Sequence, residues 1–148
     1  MTFVLLGSKA VLVHLRQAER GVKPEVPAES DEILNQDVSV KFDHGFSTDG
    51  SNRFMVRFQI SMTIHKKPKT LLDVEFISEF KATEPLTEDD KKSHYVTRNA
   101  PAIAFPFLRS YVAHITLLAG YGSVMMAPIN FAKDFPVEPA EMPSDVTL

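Results

Sequence analysis

Cysteine is missing from all 148 residues. That removes disulfide staples and thiolate chemistry together. Positive charge is also short: 16 Lys and Arg stand against 19 Asp and Glu, for a formal net charge of −3 and an isoelectric point near 5.9. A nucleic-acid binder needs a basic face for phosphate, and no run of like charge supplies one. There is no glycine-rich phosphate loop, no GxSxG and no HExxH. The five histidines, His14, His44, His65, His94 and His114, nowhere stand at metal-ligand spacing. Asp43-His44 is an acid–imidazole couple in a strand, with no nucleophile motif near it, and reads as part of a solvated face. Asp89 and Asp90 read as helix-capping acids rather than cation ligands. His114, set in an apolar helix face, reads as a core histidine. The expectation is a protein that is not an enzyme, with no metal and no cofactor.

What is present is one ordinary domain's worth of chain, 44% hydrophobic and 24% charged, the usual globular mix. The opening MTFVLLGSKAVLVHL is apolar, but no basic segment precedes the run and Lys9 interrupts it. That pattern argues against a signal peptide and for a cytoplasmic home.

The stretch NAPAIAFPFLRSYVAHITLLAGYGSVMMAPINF, 99–131, holds a single formal charge, at Arg109. A membrane span needs about 20 continuous apolar residues. Here Arg109 and His114 fall at its middle, where an arginine costs about 2.5–3.5 kcal/mol. Pro101, Pro106, Gly120, Gly122 and Pro128 also punctuate it, so a buried helix fits better. Since proline is tolerated in a first turn, the spacing predicts a helix from about Phe105, stopping at Gly120. Phe105, Leu108, Val112, Ile115 and Ala119 form one apolar row. Phe107, Tyr111, His114 and Leu118 form a second. One row is enough to lie on a sheet, so the second predicts a subunit interface, with a central core helix as the alternative.

The sheet lies upstream. In RFMVRFQISMTI, Phe54, Val56, Phe58, Ile60, Met62 and Ile64 alternate with Met55, Arg57, Gln59, Ser61 and Thr63. In LLDVEFISEF, Leu72, Val74, Phe76, Ser78 and Phe80 do the same. So do Val38, Val40, Phe42 and Phe46 in DVSVKFDHGF. The short links STDGSN and HKKPKT join antiparallel neighbours. Residues 10–22 read equally as strand or helix. Thr87 followed by Glu88, Asp89 and Asp90 marks a capped short helix. Strands followed by helices give an α+β domain over 1–135, with prolines 136, 139 and 143 predicting a loose tail over 136–148.

After the helix, Tyr121, Val124, Met125, Met126, Ile129 and Phe131 load a Gly- and Pro-punctuated loop with apolar groups. Loops lie at surfaces and methionine adapts its shape. The loop reads either as a client-binding surface or as a lid on its own core.

The 99–131 stretch resembles the signature region of SecB, the bacterial protein-export chaperone family. The resemblance rests on Pro101, Phe105, Pro106, Phe107, Arg109, Gly120, Pro128, Ile129, Asn130 and Phe131. Weaker similarity runs back through Val74, Glu75 and Phe76 to Glu25, Val26 and Pro27. It implies a four-stranded antiparallel sheet crossed by one long C-terminal helix, assembled as a dimer of dimers. It tips residues 10–22 toward a strand. It implies binding of unfolded polypeptides without ATP, with clients held by Tyr121, Val124, Met125 and Met126, backed by Phe131 and Phe135. The family docks its translocase motor, SecA, on acidic sheet-face residues, and Glu25 and Glu75 match two of them. Gly21 stands where a further acid is expected, Gly122 where the family's loop has proline, and Pro136 stops a C-terminal helix. Those departures make SecA delivery doubtful. They leave room for a SecB-like chaperone dedicated to the antitoxin of a toxin–antitoxin pair. A small-ligand-binding protein is the alternative of a different class.

Overall fold

The computed structural model describes residues 2–17, 37–65 and 69–134. Four strands, β1 (Phe3–Gln17), β2 (Asp37–Phe46), β3 (Arg53–Ile64) and β4 (Thr70–Ala82), form one antiparallel sheet in the order β1-β4-β3-β2. A short helix α1 (Glu88–Lys92) and a five-residue π-helical turn, Tyr95–Asn99, lead into the long helix α2 (Ala100–Leu118). A final turn of helix, α3 (Phe131–Asp134), follows a loop. The result is an α+β fold in which helices cover one face of the sheet. The expected domain limit at 135 and the tail 136–148 lie outside the described residues.

Alternation decides which face is covered. In β3 every even position from Phe54 to Ile64 is buried, and in β4 every even position from Thr70 to Ala82. The odd positions, including Arg57, Gln59, Asp73 and Glu75, face the other way. Above the covered face, Val96, Ala104, Phe105, Leu108 and Val112 complete a continuous core. Stacked Phe54 and Phe80 rings lie 5.2 Å apart within it.

The ambiguous N-terminal segment is a strand as far as Gln17, and 18–22 lie outside the described residues. Its pairing with β4 slips twice, between Leu5 and Gly7 and between Ala10 and Leu12. Leu6 and Val11 are thus extra residues, and each resets which side chains face the core. Phe3, Leu5, Ser8, Ala10, Val13 and Leu15 lie opposite core-facing partners on β4. Val11 therefore does not share a face with Val13 and Leu15, although their spacing of two would place all three together in a regular strand.

The long helix also departs from expectation. It starts at Ala100, not near Phe105, with Pro101 in its first turn. Pro106 therefore sits inside the helix and deletes one internal hydrogen bond. The burial of Ala104, Phe105 and Leu108 around it offsets that loss. At the far end Gly120, at φ 93°, closes the helix as expected. Its N–H bonds the Leu117 carbonyl, and the Tyr121 N–H bonds that of Thr116. The Thr87 start signal holds: Thr87 and Asp90 form a reciprocal capping box.

Candidate functional site

The two rows of α2 meet opposite fates. On the first, Phe105, Leu108 and Val112 are buried and Ile115 is half-buried, while Ala119 lies exposed past the helix end. On the second, Phe107 is 51% exposed, Leu118 is 84% exposed, and His114 is exposed. Tyr111 is the exception, half-buried with its ring 5.6 Å from Phe76. Ile103 and Leu117, absent from the expected row, extend it at the right spacing. His114 is not a core residue: its Nδ1 lies 2.6 Å from the Ser110 carbonyl on the exposed side. By length and composition, Tyr95–Leu118 is apolar enough to cross a membrane, but its first row is spent on its own sheet.

The loop after α2 alternates like a strand. Val124 is buried, Met125 is 55% exposed, and Met126 is buried again. Tyr121 is half-buried, beside Gly122 at φ 76°. Two polar groups of α2 hold this segment. The Arg109 Nε–H donates to the Met126 carbonyl at 2.9 Å. The Thr116 hydroxyl accepts the Val124 N–H at 3.0 Å and donates to the Val112 carbonyl at 2.8 Å. Phe131 is buried in an aromatic knot, 5.5 Å from Phe105 and 5.4 Å from Phe42. Of the expected client-binding set, Val124, Met126 and Phe131 therefore fill the core, Met125 faces out, and Phe135 lies outside the described residues. Arg109 and Thr116 went unread as loop anchors. Their signal was the helix's one formal charge and a hydroxyl set on its buried side.

The uncovered sheet face carries Glu75. Its carboxylate is 3.6 Å from Arg57, which also grips Asp43 at 3.0 and 2.6 Å. Arg53 pairs Glu79 at 3.1 Å. A shallow hollow of about 330 Å³ lies beside Leu12, Lys41, Gln59, Asp73 and Glu75. Glu25 and Gly21 lie outside the described residues. Asp43 and His44, adjacent in β2, face opposite ways. His44 points inward and donates from Nε2 to the Val96 carbonyl at 2.7 Å, tying β2 to the helical turn. Burial holds its imidazole below the ordinary value of 6.5, only partly offset by that carbonyl and by Asp43. Among the described residues no three His, Asp or Glu side chains gather as metal ligands.

One further surface stands open. β1 is an edge strand, and Val4, Leu6, Val11, Leu12 and Val13 are all exposed on it. Among the described residues no further strand pairs with its outer edge, and a long apolar edge of that kind is a ready template for another chain.

Comparison with known proteins gives these features a context. The family model described as preprotein translocase subunit SecB matches residues 22–140. A protein-export protein SecB of Anaplasma phagocytophilum is 26% identical over 87 residues, 58% of this chain and 55% of that protein. The match thus spans about half the length of that relative. An uncharacterized protein of Methanocaldococcus jannaschii is 30% identical over 111 residues, 73% of this chain and 70% of that one. Among solved structures, a SecB-like chaperone of Mycobacterium tuberculosis, in complex with a ChAD peptide from an antitoxin, aligns with a TM-score of 0.61. That alignment covers 86% of this chain and 87% of the other at 14% identity, a likeness of fold.

Proposed function

The chain belongs to the SecB family of chaperones, and from that premise we propose that it is an ATP-independent holdase for unfolded polypeptides, working in the cytoplasm as a homo-oligomer. The observation that carries the reading is the apolar surface left facing outward once the core is full. Leu118, Met125 and Phe107 are all more than half exposed. A lone domain rarely leaves so much apolar side chain in one helix and its loop without a partner.

Two partners divide that surface. The outward row of α2, from Ile103 through Phe107 and His114 to Leu118, suits a second copy of the chain. The β1 edge offers a second contact, so that two interfaces of different kind support a dimer of dimers. Met125, with Tyr121 beside it, suits a client. Val124, Met126 and Phe131 then act from beneath, as the packed floor of the client site. The chemistry is burial rather than catalysis: client side chains leave water, and no bond is made or broken. Export is one use of such a holdase. Delivery to SecA is weak in this reading, because Arg57 already engages Glu75 on the face the motor would need.

A narrower client is the second reading. The M. tuberculosis chaperone of similar fold holds an antitoxin peptide. Gly21 and Pro136, where the export members differ, favour the same kind of service here. A small-ligand pocket is disfavoured, since phenylalanines, leucines and valines fill the space between sheet and helix.

The test is titration of reduced, carboxymethylated α-lactalbumin into the protein without nucleotide, with light scattering for its mass. Saturable binding by an oligomer supports the reading. A monomer that ignores the unfolded chain would end it.

A further inference from the structure

Val124, Met125 and Met126 run in–out–in, and a hydrogen bond from α2 closes on each side of Met125. The Thr116 hydroxyl takes the Val124 N–H, and the Arg109 guanidinium takes the Met126 carbonyl. Neither bond is needed to end the helix, which Gly120 and Tyr121 already close with backbone bonds. Both instead fix a short segment whose one outward side chain is Met125.

We infer that Arg109 and Thr116 are positioning residues for client binding, which hold the Met125 segment in its binding geometry before a client arrives. The inference rests on the client-holding reading of this loop and adds a mechanism to it. A loop with glycines at 120 and 122 invites the idea that its backbone shifts to fit each client. The two anchors divide that property: the turn at 120–122 has the freedom, while 124–126 is fixed. A fixed segment spares a client the entropy of ordering it. Adaptability at the contact then comes from the thioether side chain of Met125, not from its backbone. Arg109 acts as a donor to a carbonyl in this arrangement, and its charge is incidental.

The experiment compares Arg109→Met, Arg109→Lys, Thr116→Val and Met125→Ser in the full chain. Three quantities are read on each: melting temperature, amide exchange at Val124–Met126, and affinity for reduced, carboxymethylated α-lactalbumin. Below its melting transition, Arg109→Met should exchange faster at 124–126 and bind the client about as weakly as Met125→Ser. Arg109→Lys should recover affinity only to the extent that it recovers protection of those amides. Should Thr116→Val fail to fold, Arg109→Met carries the comparison alone, because its side chain is partly exposed. Faster exchange with native affinity would overturn the inference and leave the loop reading intact. So would native affinity in Arg109→Lys with an unprotected loop, which would assign the effect to charge. Native affinity in Met125→Ser would instead remove the loop from the client site, and the positioning role with it.

Discussion

The two sides of α2 are written in nearly the same alphabet and do different work. Phe105, Leu108 and Val112 meet β3 and β4 across a filled core, whereas Phe107, His114 and Leu118 meet solvent. Residue type alone does not separate the rows, since both contain phenylalanine and leucine. What separates them is the supply of partners: one sheet has one apolar face to offer, and the first row uses it. The second row is left facing solvent, and in the proposed assembly it meets another chain. The same substitution should therefore act on stability on one side and on association on the other.

Phe105→Ala attacks the first row. It empties a site beside Phe58 and Phe131, whose ring centroids lie 5.8 and 5.5 Å away. Truncating a buried aromatic costs about 3–5 kcal/mol, enough to bring many domains of this size near unfolding. Chemical denaturation at several protein concentrations should show a loss of that size, with native and variant equally dependent on concentration. Little loss, or a loss that vanishes on dilution, would erase the distinction between the rows.

Leu118→Glu attacks the second row. At 84% exposure its charge remains solvated in the single chain. The fold of the separated subunit should change by no more than about 0.5 kcal/mol. In an assembly the same charge would be buried and unpaired, which is costly. Sedimentation or light scattering should find the assembly split and the subunits folded. An intact oligomer would move the interface elsewhere, with the β1 edge as the next candidate.

Titration sharpens the contrast, because His44 belongs to the buried side. Its folded value is lowered by burial. Below 6.5 the unfolded chain takes up a proton that the folded chain refuses until lower pH. His44 therefore contributes stability above that point, and the contribution is lost as pH falls through the folded value. His44→Gln removes the titration and should flatten the fall of melting temperature on the acid side. An unchanged slope would assign the acid sensitivity to other groups.

Legibility in the sequence follows the same division. β3 and β4 are central strands with one covered face, so their period of two survives intact and the reading holds. β1 fails that reading because the bulges at Leu6 and Val11 space its inward residues alternately by two and by three. Such a rhythm matches neither strand nor helix. α2 starts at Ala100 rather than near Phe105 because Pro101 takes the first turn, while Pro106 is carried inside the helix by the packing around it. The second row was legible as apolar, and its exposure was not, because exposure depends on how many faces the rest of the fold can cover. In the loop, glycines announced a turn correctly. The in–out–in order of Val124, Met125 and Met126 depended on bonds from Thr116 and Arg109 that no local pattern encodes.

That loop repeats the comparison on the scale of one residue, and it carries the most direct test of the whole reading. Val124→Ser and Met125→Ser are measured side by side, for melting temperature and for affinity toward reduced, carboxymethylated α-lactalbumin without nucleotide. Val124 is buried, so its change should lower the melting temperature. Met125 is 55% exposed, so only part of its surface is still available for burial by a client. About 1 kcal/mol is then at stake, or about fivefold in affinity. A native protein that binds the unfolded chain, with Met125→Ser weaker by about that factor at an unchanged melting temperature, is the predicted result. Native affinity in a fully folded Met125→Ser protein would contradict the claim that this outward residue holds clients.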